Sequence, residues 1–228
     1  MSQNSLHAIE AVFFDLDGTL VDTAPDFVCV VNQLRREHSL EPMLPEQVNP
    51  YVSIGSGGLI TGCLGMEVTH PSFEKARERL LKLYGESGYH GATLFPNADL
   101  FLNTLDQKKI PWGIITNKPK RFAIPIIKKL NLHLRSICLL CPEHVKDKKP
   151  APESLILAAK YAKKPASASF YLGDHLRDIQ AGFAAGMKTG SVAFGYIPPG
   201  ENPLEWSADF HFEDFNHIHT AFFGDPRK

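Results

Sequence analysis

Charge of one sign is missing from this chain: 24 lysines and arginines stand against 25 aspartates and glutamates, a net charge of −1 over 228 residues. No global basic field therefore recommends nucleic acid or an anionic membrane as a partner. Long hydrophobic runs are missing too, and none approaches the roughly 20 residues that span a bilayer. The opening MSQNSLHAIEAVFF has no positive n-region, no long apolar stretch and no small-residue cleavage site. A secretory signal is not expected, and a cytoplasmic protein is. Cysteine is scarce: Cys29, Cys63, Cys138 and Cys141. The last two form C-x-x-C, but no second C-x-x-C or H-x-H pair accompanies them for zinc, and the pair does not open a helix as redox pairs do. They lie in SICLLCP, which reads as a short buried strand with two reduced thiols. Repeats and low-complexity tracts are absent as well.

What is present is an ordinary globular composition, 43% hydrophobic and 21% charged. The length suits one large domain, or a core domain with a smaller companion. Short apolar runs at 11–15, 111–116, 136–140, 169–174 and 188–194 read as strands. Candidate helices at 98–109, 120–130, 152–163 and 176–185 alternate with them. That alternation indicates a doubly wound, Rossmann-like α/β fold with a parallel sheet covered on both faces. Such sheets bind ligands at the carboxyl ends of their strands. About seventy residues interrupt the rhythm after the first strand. They hold a helix near 24–38, where Thr23, Pro25 and Asp26 suggest a capping box, and Asp22 reads as a helix-start acid. The stretches EPMLPEQVNP and SIGSGGLITGCLG follow, then a charged amphipathic helix at 71–85. Residues 21–92 are accordingly predicted to form a small, mainly helical cap domain inserted after the first strand. The core is then 1–20 and 93–228.

The strand ends carry the chemistry. In VFFDLDGTL, residues 12–20, an apolar run stops at Asp15 and Asp17 and turns at Gly18. Two carboxylates so close to a buried strand are costly unless something positive joins them. The second strand ends in Thr116 and Asn117. Lys148-Lys149-Pro150 follows the third, and the fourth ends in Gly173-Asp174 with Asp178 four residues on. In a doubly wound sheet these ends converge on one crevice.

In this order, D-x-D-G-T, T-N, K-P and G-D-x-x-x-D resemble the four motifs of the haloacid dehalogenase superfamily of phosphotransferases, and the match covers the whole core. The resemblance implies that the missing positive species is Mg²⁺, held by Asp15, the backbone carbonyl of Asp17 and Asp174. Asp178 would support it through water or an indirect contact. It implies Asp15 as the nucleophile, forming an aspartyl-phosphate, and Asp17 as the acid that protonates the leaving alcohol and then deprotonates water. Thr116 and Asn117 would offer donors to the phosphoryl oxygens. Lys149, directly before the proline and preferred for that reason over Lys148, would bind phosphate or Asp15. Gly18 would allow the tight turn, with loop amides cradling phosphate.

Asp17 separates the chain from the dehalogenases of the superfamily, which lack that acid, and from ion-pumping ATPases, which carry threonine there. Phosphonatases need a cap lysine, whereas Lys75 and Lys82 read as solvated. The absence of arginine between Arg36 and Arg77 argues against a sugar phosphomutase of the β-phosphoglucomutase type. The pattern is most similar to bacterial phosphoglycolate phosphatases and N-acetylmuramic acid 6-phosphate phosphatases, with Arg177 in GDHLRDI closer to the latter branch or simply paired with an acid. Gly55 to Gly58 reads as a specificity loop, or simply as a flexible loop or helix start. The basic stretch 118–130 reads as a helix with a solvated face and an apolar stripe of Phe122, Ile126 and Ile127. The expectation is a Mg²⁺-dependent phosphomonoesterase acting on a small metabolite, as monomer or homodimer. The alternatives are the mutase and a non-catalytic phosphate-binding module.

Overall fold

The computed structural model describes residues 6–224. The first elements are β1 (Ala11–Phe14), β2 (Val21–Asp22) and the helices α1 (Ala24–Glu37), α2 (Pro45–Val48), α3 (Ser56–Leu64) and α4 (Phe73–Glu86). There follow β3 (Thr93–Leu94), α5 (Ala98–Gln107), β4 (Trp112–Ile115), α6 (Lys120–Lys129), β5 (Leu139–Leu140) and α7 (Glu153–Ala162). The chain closes with β6 (Ser169–Gly173), α8 (Leu176–Ala184), β7 (Lys188–Val192), β8 (Phe210–Phe212) and α9 (Phe215–Phe223). Six strands form one parallel sheet in the order β5-β4-β1-β6-β7-β8. β1 is apolar at every position and fully buried, as a central strand covered on both faces must be. Phe14 packs edge-on against Phe101 of α5 and Trp112 of β4, filling one layer. Phe13, Ile115 and Tyr171 belong to the other, with Leu155 of α7 and Ala181 of α8. The chain order changes direction on either side of β1, so the crevice of this α/β sheet opens at the carboxyl ends of β1, β4 and β6.

Helices α1 to α4 pack on one another beside that crevice, with Leu34, Leu59, Leu80 and Tyr84 among their buried residues. β2 and β3 pair antiparallel, Val21 with Leu94 and Asp22 with Thr93, so the two ends of the insertion are tied together where it leaves and rejoins the sheet. Lys129 strengthens the tie by donating to the carbonyls of Tyr89, His90 and Ala92.

Several expectations need correction. The 136–140 strand shrinks to Leu139–Leu140, although Ile137 and Cys138 still hydrogen-bond to β4. Cys138 is half-buried rather than buried, and burial pushes its thiol and that of Cys141 up to about 12. Thr23 makes no capping bond to the start of α1; its hydroxyl turns to Asp17 instead. The basic helix spans Lys120–Lys129, as the 120–130 candidate predicts, and Lys118 and Pro119 of the basic stretch precede it. Asp22 accepts from the Tyr196 hydroxyl at 2.5 Å as well as from the Ala24 amide. β8 and α9 were not foreseen. The predicted core also included 1–5 and 225–228, which lie outside the described residues.

Candidate active site

After Phe14 the chain leaves the sheet, and Asp15 points into the crevice while its amide still donates to Leu172 of β6. Gly18 then turns with φ +79°, and a Cβ there would meet an Asp174 carboxylate oxygen at 2.0 Å. Both facts require glycine. The expectation that Gly18 would bind phosphate needs amendment: its amide donates to the Val21 carbonyl, and its contribution is the close approach to Asp174.

Lys149 lies between the acids. Its Nζ is 2.9 Å from Asp15 Oδ1 and 2.6 Å from Asp178 Oδ1, and it also reaches the Ile115 carbonyl and the Tyr171 hydroxyl. Only 3% of the residue is exposed. Burial pulls its ammonium down, but Asp15 and Asp178 outweigh that and leave it raised. Asp15 is pushed up to about 6, first by burial and then by Asp178 and Asp17, against the opposing pull of Lys149. Asp174 is fully buried and rises well above the usual carboxylate range through burial and its two acidic neighbours.

Asp15, Asp174 and Asp178 each place a carboxylate oxygen within 4.8 Å of the others. Lys149 pairs with two of these three acids, Asp15 and Asp178, so the cluster, once ionised, retains excess negative charge. Asp178 Oδ2 is buried without a hydrogen-bond partner. An oxygen-only donor set with an unsatisfied carboxylate fits a hard divalent cation. Asp174 is steadied by the Tyr196 amide at 2.8 Å and the Ser53 hydroxyl at 2.7 Å. Ser53 comes from the insertion, and Arg177 donates to its carbonyl, which gives Arg177 a structural partner. His175 caps α8 by accepting from the Arg177 amide, and burial together with Arg177 lowers its ring to about 4.

Asp17 faces the opposite way. Its Oδ1 accepts from Lys118 Nζ at 2.7 Å and Thr23 Oγ1 at 2.5 Å. The Lys118 ammonium sits 4.9 Å from the Phe27 ring centroid and 4.6 Å from that of Tyr84. Thr116 is buried and accepts from the Lys118 amide, leaving its hydroxyl proton for another acceptor. The Asn117 side chain donates to the Lys149 carbonyl at 2.9 Å, so part of its donor capacity positions the lysine loop. A cavity of about 700 Å³ joins Asp15, Asp17, Thr116, Asn117 and Lys149 to the insertion, which contributes Ser53, Gly55, Ser56, Gly57, Arg77 and Tyr84. Gly55 to Gly58 form the start of α3 on the cavity wall rather than a free loop. Lys75 and Lys82 are exposed, as read from the sequence.

All the sequence-predicted acids, with Lys149, Thr116 and Asn117, thus meet in one crevice. Lys118 was missed because it opens a basic stretch that reads as a solvated helix face, and Tyr171 and Tyr196 because no motif marks them. A position directly after a T-N strand end is the signal that could have singled out Lys118.

A family model described as "Haloacid dehalogenase-like hydrolase" matches residues 12–192. A Pseudomonas aeruginosa protein named N-acetylmuramic acid 6-phosphate phosphatase is 40% identical over 204 residues, covering 88% of this chain and 89% of the relative. A Xanthomonas campestris protein named phosphoglycolate phosphatase is 36% identical over 205 residues, covering 87% and 90%. Among solved structures, a haloacid dehalogenase-like family hydrolase from Streptococcus pneumoniae superposes with a TM-score of 0.79 at 19% identity, covering 94% of this chain and 99% of that one.

Proposed function

Because the chain belongs to the haloacid dehalogenase-like hydrolases, we propose that it hydrolyses a phosphomonoester of a small metabolite through an aspartyl-phosphate on Asp15. The observation that carries this reading is the placement of Asp15 on the cavity floor, beside Lys149 and within the carboxylate group that fits a divalent cation. The helical segment 21–92 would act as the cap that excludes bulk water.

Asp15 would attack phosphorus as the ester P–O bond breaks, and the leaving oxygen would take a proton from Asp17. A water would then give its proton to Asp17 and its oxygen to phosphorus, breaking the Asp15–phosphorus bond and releasing inorganic phosphate. Lys149 orients Asp15 by its 2.9 Å contact. The Thr116 hydroxyl, whose oxygen accepts from the Lys118 amide, would donate its proton to a phosphoryl oxygen. Mg²⁺, held by Asp15, Asp174, Asp178 and the Asp17 carbonyl, would neutralise charge so that a carboxylate can approach an anionic phosphoryl group.

The 700 Å³ cavity is ample for a phosphorylated amino sugar, and Arg77 and Arg121 on its wall would suit a second anionic group. Two relatives are named for N-acetylmuramic acid 6-phosphate and phosphoglycolate, both of which carry a carboxylate. The test is phosphate release from these two compounds, hexose phosphates and nucleotides, with and without Mg²⁺. Mg²⁺-dependent release from one compound is expected. Asp15→Asn should lower turnover by at least about 10⁴-fold while the fold persists. A variant that kept most of the activity would sink the mechanism.

A further inference from the structure

Among the described residues, Lys118 is the one buried cation in the crevice that the chemistry above does not use. It is 8% exposed, and its amide is fixed to Thr116 Oγ1 at the end of β4. Phe27 of α1 and Tyr84 of α4 stack on each other at 4.0 Å, and the ammonium lies beside the stacked pair, 4.9 and 4.6 Å from the two ring centroids. The rings pack along the lysine stem and keep it dry, which fixes where its charged end can reach. There the ammonium meets Asp17 Oδ1, the oxygen that also accepts from Thr23. Among the described residues no side chain is hydrogen-bonded to Asp17 Oδ2.

We propose that Lys118, packed beside the Phe27 and Tyr84 rings, is the positioning residue of Asp17: it pins Oδ1 so that Oδ2 is presented to the leaving-group oxygen. The inference rests on the reading of Asp17 as proton donor in phosphomonoester hydrolysis. Two donors on one oxygen resist rotation of the carboxylate, because a flip would break both bonds. The ammonium cannot follow such a flip without leaving its place beside the rings. Lys118 itself forms no bond to substrate, and proton transfer from Oδ2 is unchanged in its balance.

Its signature is a dependence on the leaving group. An alkyl phosphate must have its departing oxygen protonated, whereas p-nitrophenyl phosphate departs as a stable phenolate. Lys118→Met keeps the stem and its apolar contacts and removes the charge. With Mg²⁺ present, kcat/KM on an alkyl phosphate should fall by about 100-fold, since misplacement of a catalytic group costs on that scale. On p-nitrophenyl phosphate kcat/KM should fall less than about threefold, because the later water step, which also uses Asp17, enters kcat but not kcat/KM. Lys118→Arg, which restores a charged donor, should recover part of the loss. The double variant with Asp17→Asn should be no slower on the alkyl phosphate than Asp17→Asn alone, because the two residues act as one unit. Equal losses of kcat/KM on both substrates would assign Lys118 to substrate binding and overturn the proposal, as would no loss at all. If Lys118→Met fails to fold, Lys118→Gln is read in the same way. A wild-type protein that released no phosphate from any compound would overturn the hydrolase reading and this one with it. Wild-type turnover with equal losses in the variant would reject only the role of Lys118.

Discussion

Lys149 and Lys118 are both buried, and each is paired with one of the two aspartates that follow β1, yet their surroundings have little in common. Lys149 is enclosed by the sheet and its loops: two carboxylates, a carbonyl and a tyrosine hydroxyl, all from the core. Lys118 has a single carboxylate and two aromatic rings, and both rings belong to the helical insertion. The first lysine is held by a dense group of acids that still exceeds its charge, which is why a second cation belongs beside it. The second is held by an element that is inserted into the fold. On the proposed reading, the difference separates the part of the crevice that would manage phosphate and metal charge from the part that would manage a proton.

The contrast is broken most directly by removing each ammonium in turn and measuring stability by chemical denaturation. Lys149→Met leaves Asp15 and Asp178 buried without a cation, Asp178 keeping only the Tyr171 hydroxyl. Loss of one member of a buried ion pair costs about 3–5 kcal/mol, and the low end applies here because both Asp15 and Asp174 already tend to protonate. Turnover should disappear with it. Lys118→Met should cost nearer 1 kcal/mol, since Asp17 retains Thr23 and borders the open cavity. Similar costs at the two sites would mean that the two environments are energetically alike, and the comparison would fail.

That contrast also marks what could be read in advance. β1, β4 and β6 were legible because strands buried on both faces become continuous apolar runs. Asp15 and Asp174 were legible because each follows such a run, and Asp178 and Lys149 through the spacing of G-D-x-x-x-D and K-P in the motif set that the chain resembles. Lys118 follows an apolar run too, but KPKRFAIPIIKKL carries so clear a helical stripe that its first lysine was absorbed into a solvated face. Thr23 precedes a proline-started helix, a setting that suits a cap equally well, and only the folded position of Asp17 decides between the two partners. β2 and β3 have two residues each, too few for any alternation to show. β8 is three residues, Phe-His-Phe, and the histidine-rich α9 after it gave no contrast with a loop. Tyr196 reaches the crevice from a loop after β7, where nothing local announces a partner at Asp174.

A divalent cation sharpens the acidic half of the comparison. The native carboxyl of Asp15 rises from 3.8 to about 6, so without metal its stabilising effect is complete below pH 3.8 and is lost as pH climbs through 6. Metal binding needs the ionised form, and so runs in the opposite sense. At a hundredfold excess over Kd, Mg²⁺ should therefore raise the melting temperature by about 5–10 °C at pH 7.5. The increment should shrink steadily below pH 6. A shift of the same size at pH 5 and pH 7.5 would show that the cation binds somewhere other than this carboxylate group.

The smallest effect concerns the contact that joins the two halves. Ser53, carried by the insertion, donates to Asp174 Oδ2, a buried carboxylate oxygen. Ser53→Ala removes the hydroxyl and spares the carbonyl that Arg177 holds. In metal-free protein, where burial favours the protonated Asp174, the loss of this hydrogen bond should cost only about 0.5 kcal/mol, because the Tyr196 amide still serves the same oxygen. With Mg²⁺ bound, Asp174 has a stronger partner, and the difference between wild type and variant should narrow. Denaturation of both proteins with and without Mg²⁺ reads the two differences directly. If the gap were unchanged by the cation, Ser53 and the metal would not compete for Asp174, and the insertion would touch the acidic group without being coupled to its charge.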